Sequence, residues 1–163
     1  MELWDIYNSQ GEKTGRQMQR GKPQPGEYML AVHIYIQDKQ GRWLLQKRSA
    51  TKESMPGIWE VTGGAVLFGE SSLNAAIRET KEEVGVSLKK EELSFAARLR
   101  RSSSFVDIWF AQADFSLANC ALQKEEVEAV RLLTTEQLLH WVDSCTHREK
   151  IYRSLVTSFI SQL

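Results

Sequence analysis

The stretch Gly63–Val86, GGAVLFGESSLNAAIRETKEEVGV, constrains the fold more than any other part of the chain. Gly63, Gly64 and Gly69 open it with the backbone freedom of a tight turn. From about Ser71 the spacing predicts a helix that stops at Gly85, a residue suited to the left-handed conformation past a helix C-terminus. Leu73, Ala76, Ile77, Thr80 and Val84 fall on one stripe at helical period, so this face is expected to be buried. Glu79, Glu82 and Glu83 stand at i, i+3 and i+4, which gathers three carboxylates on the opposite face. Like charges at that spacing repel by roughly a few tenths of a kcal/mol per pair, and acids near a helix C-terminus oppose the macrodipole. Arg78 and Lys81 relieve part of this repulsion. A divalent cation relieves it better, because three oxygen donors on one rigid face suit a hard ion such as Mg²⁺ or Mn²⁺. A solvated charged helix face explains the same three residues without any ion.

The wider spacing favours the ion. Gly64, five residues, Glu70, seven residues, then Arg78-Glu79-x-x-Glu82-Glu83-x-Gly85-Val86 resembles the Nudix box, G-x5-E-x7-R-E-U-x-E-E-x-G-U with U a bulky apolar residue. Every fixed position matches. Thr80 departs from the usual Leu, Ile or Val, and it lies on the packing stripe, away from the carboxylates. The resemblance implies an α/β fold, the Nudix α/β/α sandwich with a central mixed sheet. It also implies a Mg²⁺-dependent hydrolase, with Mn²⁺ as a substitute, cleaving a diphosphate linkage in a nucleoside diphosphate derivative or similar small organic diphosphate. By the same resemblance Glu82 and Glu83 are metal ligands, Glu79 is a ligand or general base, and the backbone carbonyl of Gly63 completes the set. Glu70 and Arg78 match positions that hold the loop–helix geometry. A second acidic group, Glu125-Glu126-Val127-Glu128, lies where many family members place a further ligand or base, and Glu126 is the preferred candidate. Arg48 and Lys47, ending LLQKR, are candidates for the substrate phosphates, Arg48 foremost because a guanidinium engages phosphate bidentately. Homodimers are common in the family.

The rest of the chain reads as one domain, residues 1–163. LWDIY, the turn cluster Asn8–Gly11 and Glu12–Met18 predict an N-terminal β-hairpin within an extension spanning 1–27. Tyr28–Ile36 and Arg42–Arg48 read as the next hairpin, Leu93–Arg101 and Phe105–Phe115 as another, and Val127–Leu133 as the last strand. Two helices close the chain, the second over Thr146–Leu163 with Ile151, Leu155, Phe159 and Ile160 on one face. Trp59 and Phe68 flank the box and suit either base stacking or burial. Arg98 and Arg100 should share a strand face. With 21 basic and 21 acidic residues the net charge is zero, which argues against nucleic acid or membrane as partner. Cys120 and Cys145 have neither metal-ligand spacing nor a disulfide framework, and His33, His140 and His147 have no ligand spacing; a reduced, cytoplasmic setting follows.

Within the family, LWDIYNSQGEKTGR, LLQKR and PGIWEVTGGAVLFGES resemble the branch related to isopentenyl-diphosphate isomerase. The isomerases carry a catalytic cysteine and a metal-binding histidine where this chain has Thr62-Gly63-Gly64. Threonine cannot replace the thiol and glycine has no imidazole, so isomerase activity is disfavoured. A catalytically silent nucleotide-binding regulatory domain is disfavoured in turn by the complete carboxylate set.

Overall fold

Alternation along one strand sets the layers of the computed structural model, which describes residues 1–163. In β3 (Met29–Gln37), Leu30, Val32, Ile34 and Ile36 are buried on one side, where they pack with Ala75, Ala76 and Val84 of α1 (Ser72–Val84). Tyr35 points to the other side and packs with Leu138 and Val142 of α2 (Thr135–Ser144) and with Tyr152 and Val156 of α3 (Lys150–Ile160). A sheet covered by helices on both faces is an α/β/α sandwich, as expected.

The N-terminal hairpin is also present: β1 (Leu3–Tyr7) and β2 (Lys13–Gln19) pair antiparallel as a separate two-stranded sheet. The main sheet has seven strands of mixed direction, completed by β4 (Trp43–Arg48), β5 (Trp59–Glu60), β6 (Thr62–Ala65), β7 (Leu93–Arg100), β8 (Ser104–Gln112) and β9 (Val127–Leu133). β3 runs parallel to β8 from Met29↔Ser104 to Gln37↔Gln112. The predicted hairpin between Tyr28–Ile36 and Arg42–Arg48 closes only at its turn, where Gln37 pairs with Trp43. Beyond that point β5 and β6 intervene: β5 pairs with β4, and β6 crosses to take the edge of β3 from Ile34 to Ala31. β4 satisfies its other edge on β9 instead. The splayed pair opens the sheet beside β6.

α3 is shorter than the expected Thr146–Leu163 helix, and its buried face is Tyr152, Val156 and Ile160. Ile151 is 57% exposed. Tyr152 takes the interior because its hydroxyl finds partners there, His33 Nδ1 at 2.7 Å and the Tyr35 hydroxyl at 2.9 Å. Burial holds the His33 pKa well below its usual range, and the ring packs on Tyr152 away from the cavity that holds the box glutamates. No helix is long and apolar enough to cross a membrane.

Candidate active site

Gly63 and Gly64 lie inside β6, not in the expected turn, and neither has the left-handed φ seen at Gly69 (+78°). What they supply is room. A Cβ on Gly63 would sit 2.5 Å from the Val32 carbonyl oxygen, and one on Gly64 would overlap the Glu79 carboxylate, 2.7 Å from its Oε2. Without those atoms β6 runs directly beneath α1.

The helix begins and ends as its sequence dictates. The Ser71 hydroxyl accepts from Asn74 N (3.1 Å) at the N-cap, and Gly85 ends the helix at φ +75°. Thr80 is fully buried and donates its hydroxyl to the Ala76 carbonyl at 2.8 Å, which satisfies the one polar atom that the departure from the box pattern introduces. Arg78 ties loop to helix. Its Nε and Nη2 donate to the two oxygens of Glu70 (2.8 and 3.0 Å), Nη2 also to the Ala65 carbonyl (3.0 Å), and Nη1 to Glu79 Oε1 (2.8 Å) and Glu82 Oε2 (3.1 Å). Glu70 in turn accepts from Leu67 N at 3.0 Å. Glu70 and Arg78 thus join the loop to the helix.

The carboxylates do not share one solvated face. Glu82 is half exposed, Glu79 is mostly covered, and Glu83 is buried against β4 and β6. Gln46 Nε2 donates to Glu83 Oε2 at 2.9 Å and Gly63 N donates to Oε1 at 3.0 Å, while Gln46 Oε1 accepts from the buried Thr62 hydroxyl at 2.8 Å. Glu79, Glu82, Glu83, Gly63 and Gly64 form one wall of a cavity of about 510 Å³. Arg48, Lys52 and Glu126 line the same cavity, with Lys52 paired to Glu126.

Two predicted basic residues part company. Arg48 reaches the cavity, but its guanidinium also clamps the 49–57 loop by donating to the carbonyls of Ser54 (2.8 Å) and Met55 (3.2 Å). Lys47 does not line the cavity, because alternation along β4 turns it the other way, onto Glu128 at 3.2 Å. Glu126 lies in the turn before β9, one residue short of the strand. Arg98 and Arg100 share a face, as expected, but it is turned to the hairpin: Arg98 holds Asp107 and the Gly11 carbonyl, and Arg100 the Ser9 carbonyl. Trp59 stacks under Arg131 at 4.2 Å and Phe68 is exposed; neither lines the cavity.

Sequence reasoning missed Gln46, Lys52 and Gln123. Gln46 carried a signal, a polar residue inside the apolar run of β4 that is buried in the fold. Lys52 and Gln123 come from the 49–57 and 116–124 loops, and no local pattern marks them. The second loop is drawn to the site by backbone bonds from Ala121 N to Val84 O (3.0 Å) and from Gln123 N to Glu83 O (3.1 Å).

The donor set fits a hard divalent cation. All the side-chain donors on this wall are carboxylate oxygens, and Arg78 alone answers Glu70, Glu79 and Glu82. The carboxylates are turned to protein donors and no three converge on one point; Glu82, half exposed, is held by Arg78 alone. Burial, reinforced by the Glu79 charge, pushes the Glu83 carboxyl up from its ordinary 4.5 to about 8. Burial likewise lifts Glu79 to about 7, against the pull of Arg78. For these two carboxyls the metal-free folded state holds protons that the unfolded chain releases near pH 4.5, so their contribution to stability falls as pH rises to about 8; His33, held neutral by burial, opposes this below about pH 6.5, which leaves the decline clearest from there to about pH 8. Thermal melts in chelator should show a Tm that declines across this window. Added Mg²⁺ should raise Tm more at about pH 8 than at about pH 5, since protonated carboxyls are poor ligands. An equal Mg²⁺ effect at both pH values would contradict the assignment.

An acidic cavity walled by glycines stands at the junction of β6 and α1, and comparison shows the class of protein that carries it. The NUDIX domain model matches residues 27–154, and the chain belongs to this family, as a Nudix hydrolase. It is 39% identical over 140 residues to the uncharacterised Nudix hydrolase lmo0368 of Listeria monocytogenes, a match covering 85% of this chain and 83% of that protein. The crystal structure of DR0079 from Deinococcus radiodurans is similar in fold, with a TM-score of 0.72 at 23% identity over 99% of this chain and 98% of that one. The isopentenyl-diphosphate Delta-isomerase of Streptomyces avermitilis is 37% identical over 87 residues, only 52% of this chain and 44% of that enzyme.

Proposed function

We propose that this Nudix hydrolase cleaves a diphosphate linkage in a small organic diphosphate, such as a nucleoside diphosphate derivative, with Mg²⁺ or Mn²⁺ held by Glu79, Glu82, Glu83 and the Gly63 carbonyl. The observation that carries the reading is the carboxylate wall, buried at Glu83, with Arg48, Lys52 and Arg78 lining the same cavity. When bound, a divalent cation neutralises diphosphate charge and acidifies water. The chain supplies the rest. Arg48 and Lys52 receive the phosphate oxygens and orient the linkage. Glu79 is the preferred base: Arg78 occupies its Oε1 and leaves Oε2 to take the proton of the attacking water. As water oxygen bonds to phosphorus, the bridging P–O bond breaks and two phosphorylated fragments leave. Glu126 becomes a second proton acceptor once Lys52 turns from it to a phosphate.

Isomerase chemistry finds no support at the corresponding positions. The Thr62 hydroxyl is buried on Gln46, Gly64 has no space for a side chain, and neither cysteine lines the cavity. A cytoplasmic setting, where Cys120 and Cys145 stay reduced, belongs to the same reading. The test is a panel of nucleoside diphosphates, nucleoside triphosphates, dinucleotides and prenyl diphosphates, with and without Mg²⁺. Metal-dependent release of phosphorylated fragments is expected. No turnover together with no Mg²⁺ binding by calorimetry would overturn the proposal, and conversion of isopentenyl to dimethylallyl diphosphate would replace it.

A further inference from the structure

The N-terminal hairpin precedes the matched segment 27–154, yet Glu2, Trp4 and Arg20 line the same cavity as the box glutamates. It is fixed there by the loop that leads into α1. The Leu3 carbonyl accepts from Phe68 N at 2.8 Å, and the buried Asp5 carboxylate accepts from Gly69 N at 2.8 Å. Lys13 bridges Asp5 (3.1 Å) and the Glu70 carbonyl (3.2 Å). Farther along, Tyr7 pairs with Tyr28 through both backbone bonds. The hairpin is thus a docked wall held by backbone and buried charge.

Glu2 stands at the edge of that wall with its carboxylate already oriented. Oε1 accepts from Trp4 Nε1 and Oε2 from Arg20 Nη1, each at 3.1 Å, while the side chain keeps 40% of its exposure. Each carboxylate oxygen has a second lone pair left for a ligand. An ionised carboxylate only accepts, so its complement is a hydroxyl or amino donor. Most of the residues that line the cavity are charged, polar or glycine, and the hydrophobic ones are Trp4, Met29, Ala65 and Leu67.

We propose that Glu2, oriented by Trp4 and Arg20, receives a hydroxyl or amino group on the part of the substrate that is not cleaved, so that the hairpin selects sugar- or nucleoside-bearing diphosphates over prenyl diphosphates. The inference rests on the diphosphate hydrolase reading above. A site that hydrogen-bonds a substrate donor discriminates strongly against analogues that lack it. Wild-type kcat/KM should therefore favour a nucleoside diphosphate sugar over a prenyl diphosphate, and Glu2→Ala should reduce that preference by about tenfold or more, mainly through KM.

The ratio of the two kcat/KM values is the readout, because partial misfolding lowers both together and leaves it in place. A preference that survives Glu2→Ala would overturn the role of the hairpin, as would a wild-type preference for the prenyl compound. Absence of turnover on both compounds by the wild type would overturn the hairpin inference alone, whereas the hydrolase reading falls only when the full panel gives no turnover and Mg²⁺ does not bind.

Discussion

Glu83→Gln is expected to lower kcat by at least about a hundredfold and to leave the fold intact. The two halves of this expectation have separate causes. Activity falls because the substitution removes a charged oxygen ligand from the buried part of the carboxylate wall. The fold survives because the new amide has the volume of the carboxylate and can keep its neighbours satisfied. Gln46 now donates to Glu83 and accepts from Thr62. A flip of the Gln46 amide lets its oxygen accept from the new amide while its nitrogen donates to the Thr62 hydroxyl, which both gives and takes hydrogen bonds. The remaining amide oxygen still accepts from Gly63 N. The substitution also removes a carboxyl that burial makes reluctant to ionise, so the decline of metal-free stability toward pH 8 should flatten in the variant. Circular dichroism, chelator melts at several pH values and steady-state kinetics measure the three effects. Turnover like the wild type would show that the metal site is misassigned.

How far the site was legible depends on where each residue's role is written. Ser71, Gly85 and most of the apolar stripe act within one helix, and local spacing located them, although Ala75 and not Leu73 enters the core. Arg78 and Glu70 act between a loop and that helix, a distance the box pattern spans, and their ion pair stands where the pattern implies. Glu83 was read on the wrong face because helical period places it beside Glu79 and Glu82, whereas its burial depends on β4 and β6 packing across the helix. The glycines were read as a turn for a similar reason. Glycine signals either conformational freedom or close approach, and only the neighbouring strand and helix decide between them. A mixed sheet packed by helices was accessible, since two or three helices bracket the more numerous strands, and the family resemblance sharpened this to the sandwich. The pairing of β4 with β9 was not, because adjacency in sequence favours a hairpin and the crossing of β6 overrides it. Lys52, Gln123 and the hairpin residues reach the cavity by tertiary docking, which no local pattern encodes.

Gly63→Ala and Gly64→Ala should separate stability from catalysis at adjacent positions. At Gly63 the added methyl meets the Val32 carbonyl oxygen at 2.5 Å and the His33 ring at 3.0 Å. Both belong to the central strand, whose backbone is held by β8 along its other edge, so neither can move away cheaply. Forcing a methyl into such packing costs about 1–3 kcal/mol, which at roughly 2–4 °C per kcal/mol for a chain of this size is a readily measured fall in Tm. At Gly64 the methyl meets the Glu79 carboxylate, the far end of a side chain that can rotate. The strand stays paired and the carboxylate is pushed off its place between Arg78 and the cavity. A displacement of about 1 Å at a reacting group lowers turnover by around a hundredfold, so kcat should fall by about that much with a smaller change in Tm than at Gly63. Differential scanning fluorimetry and kinetics on the same two preparations test the contrast. Equal losses of Tm in both variants would show that Gly64 serves the strand alone, and an active Gly64→Ala enzyme would remove Glu79 from the reaction.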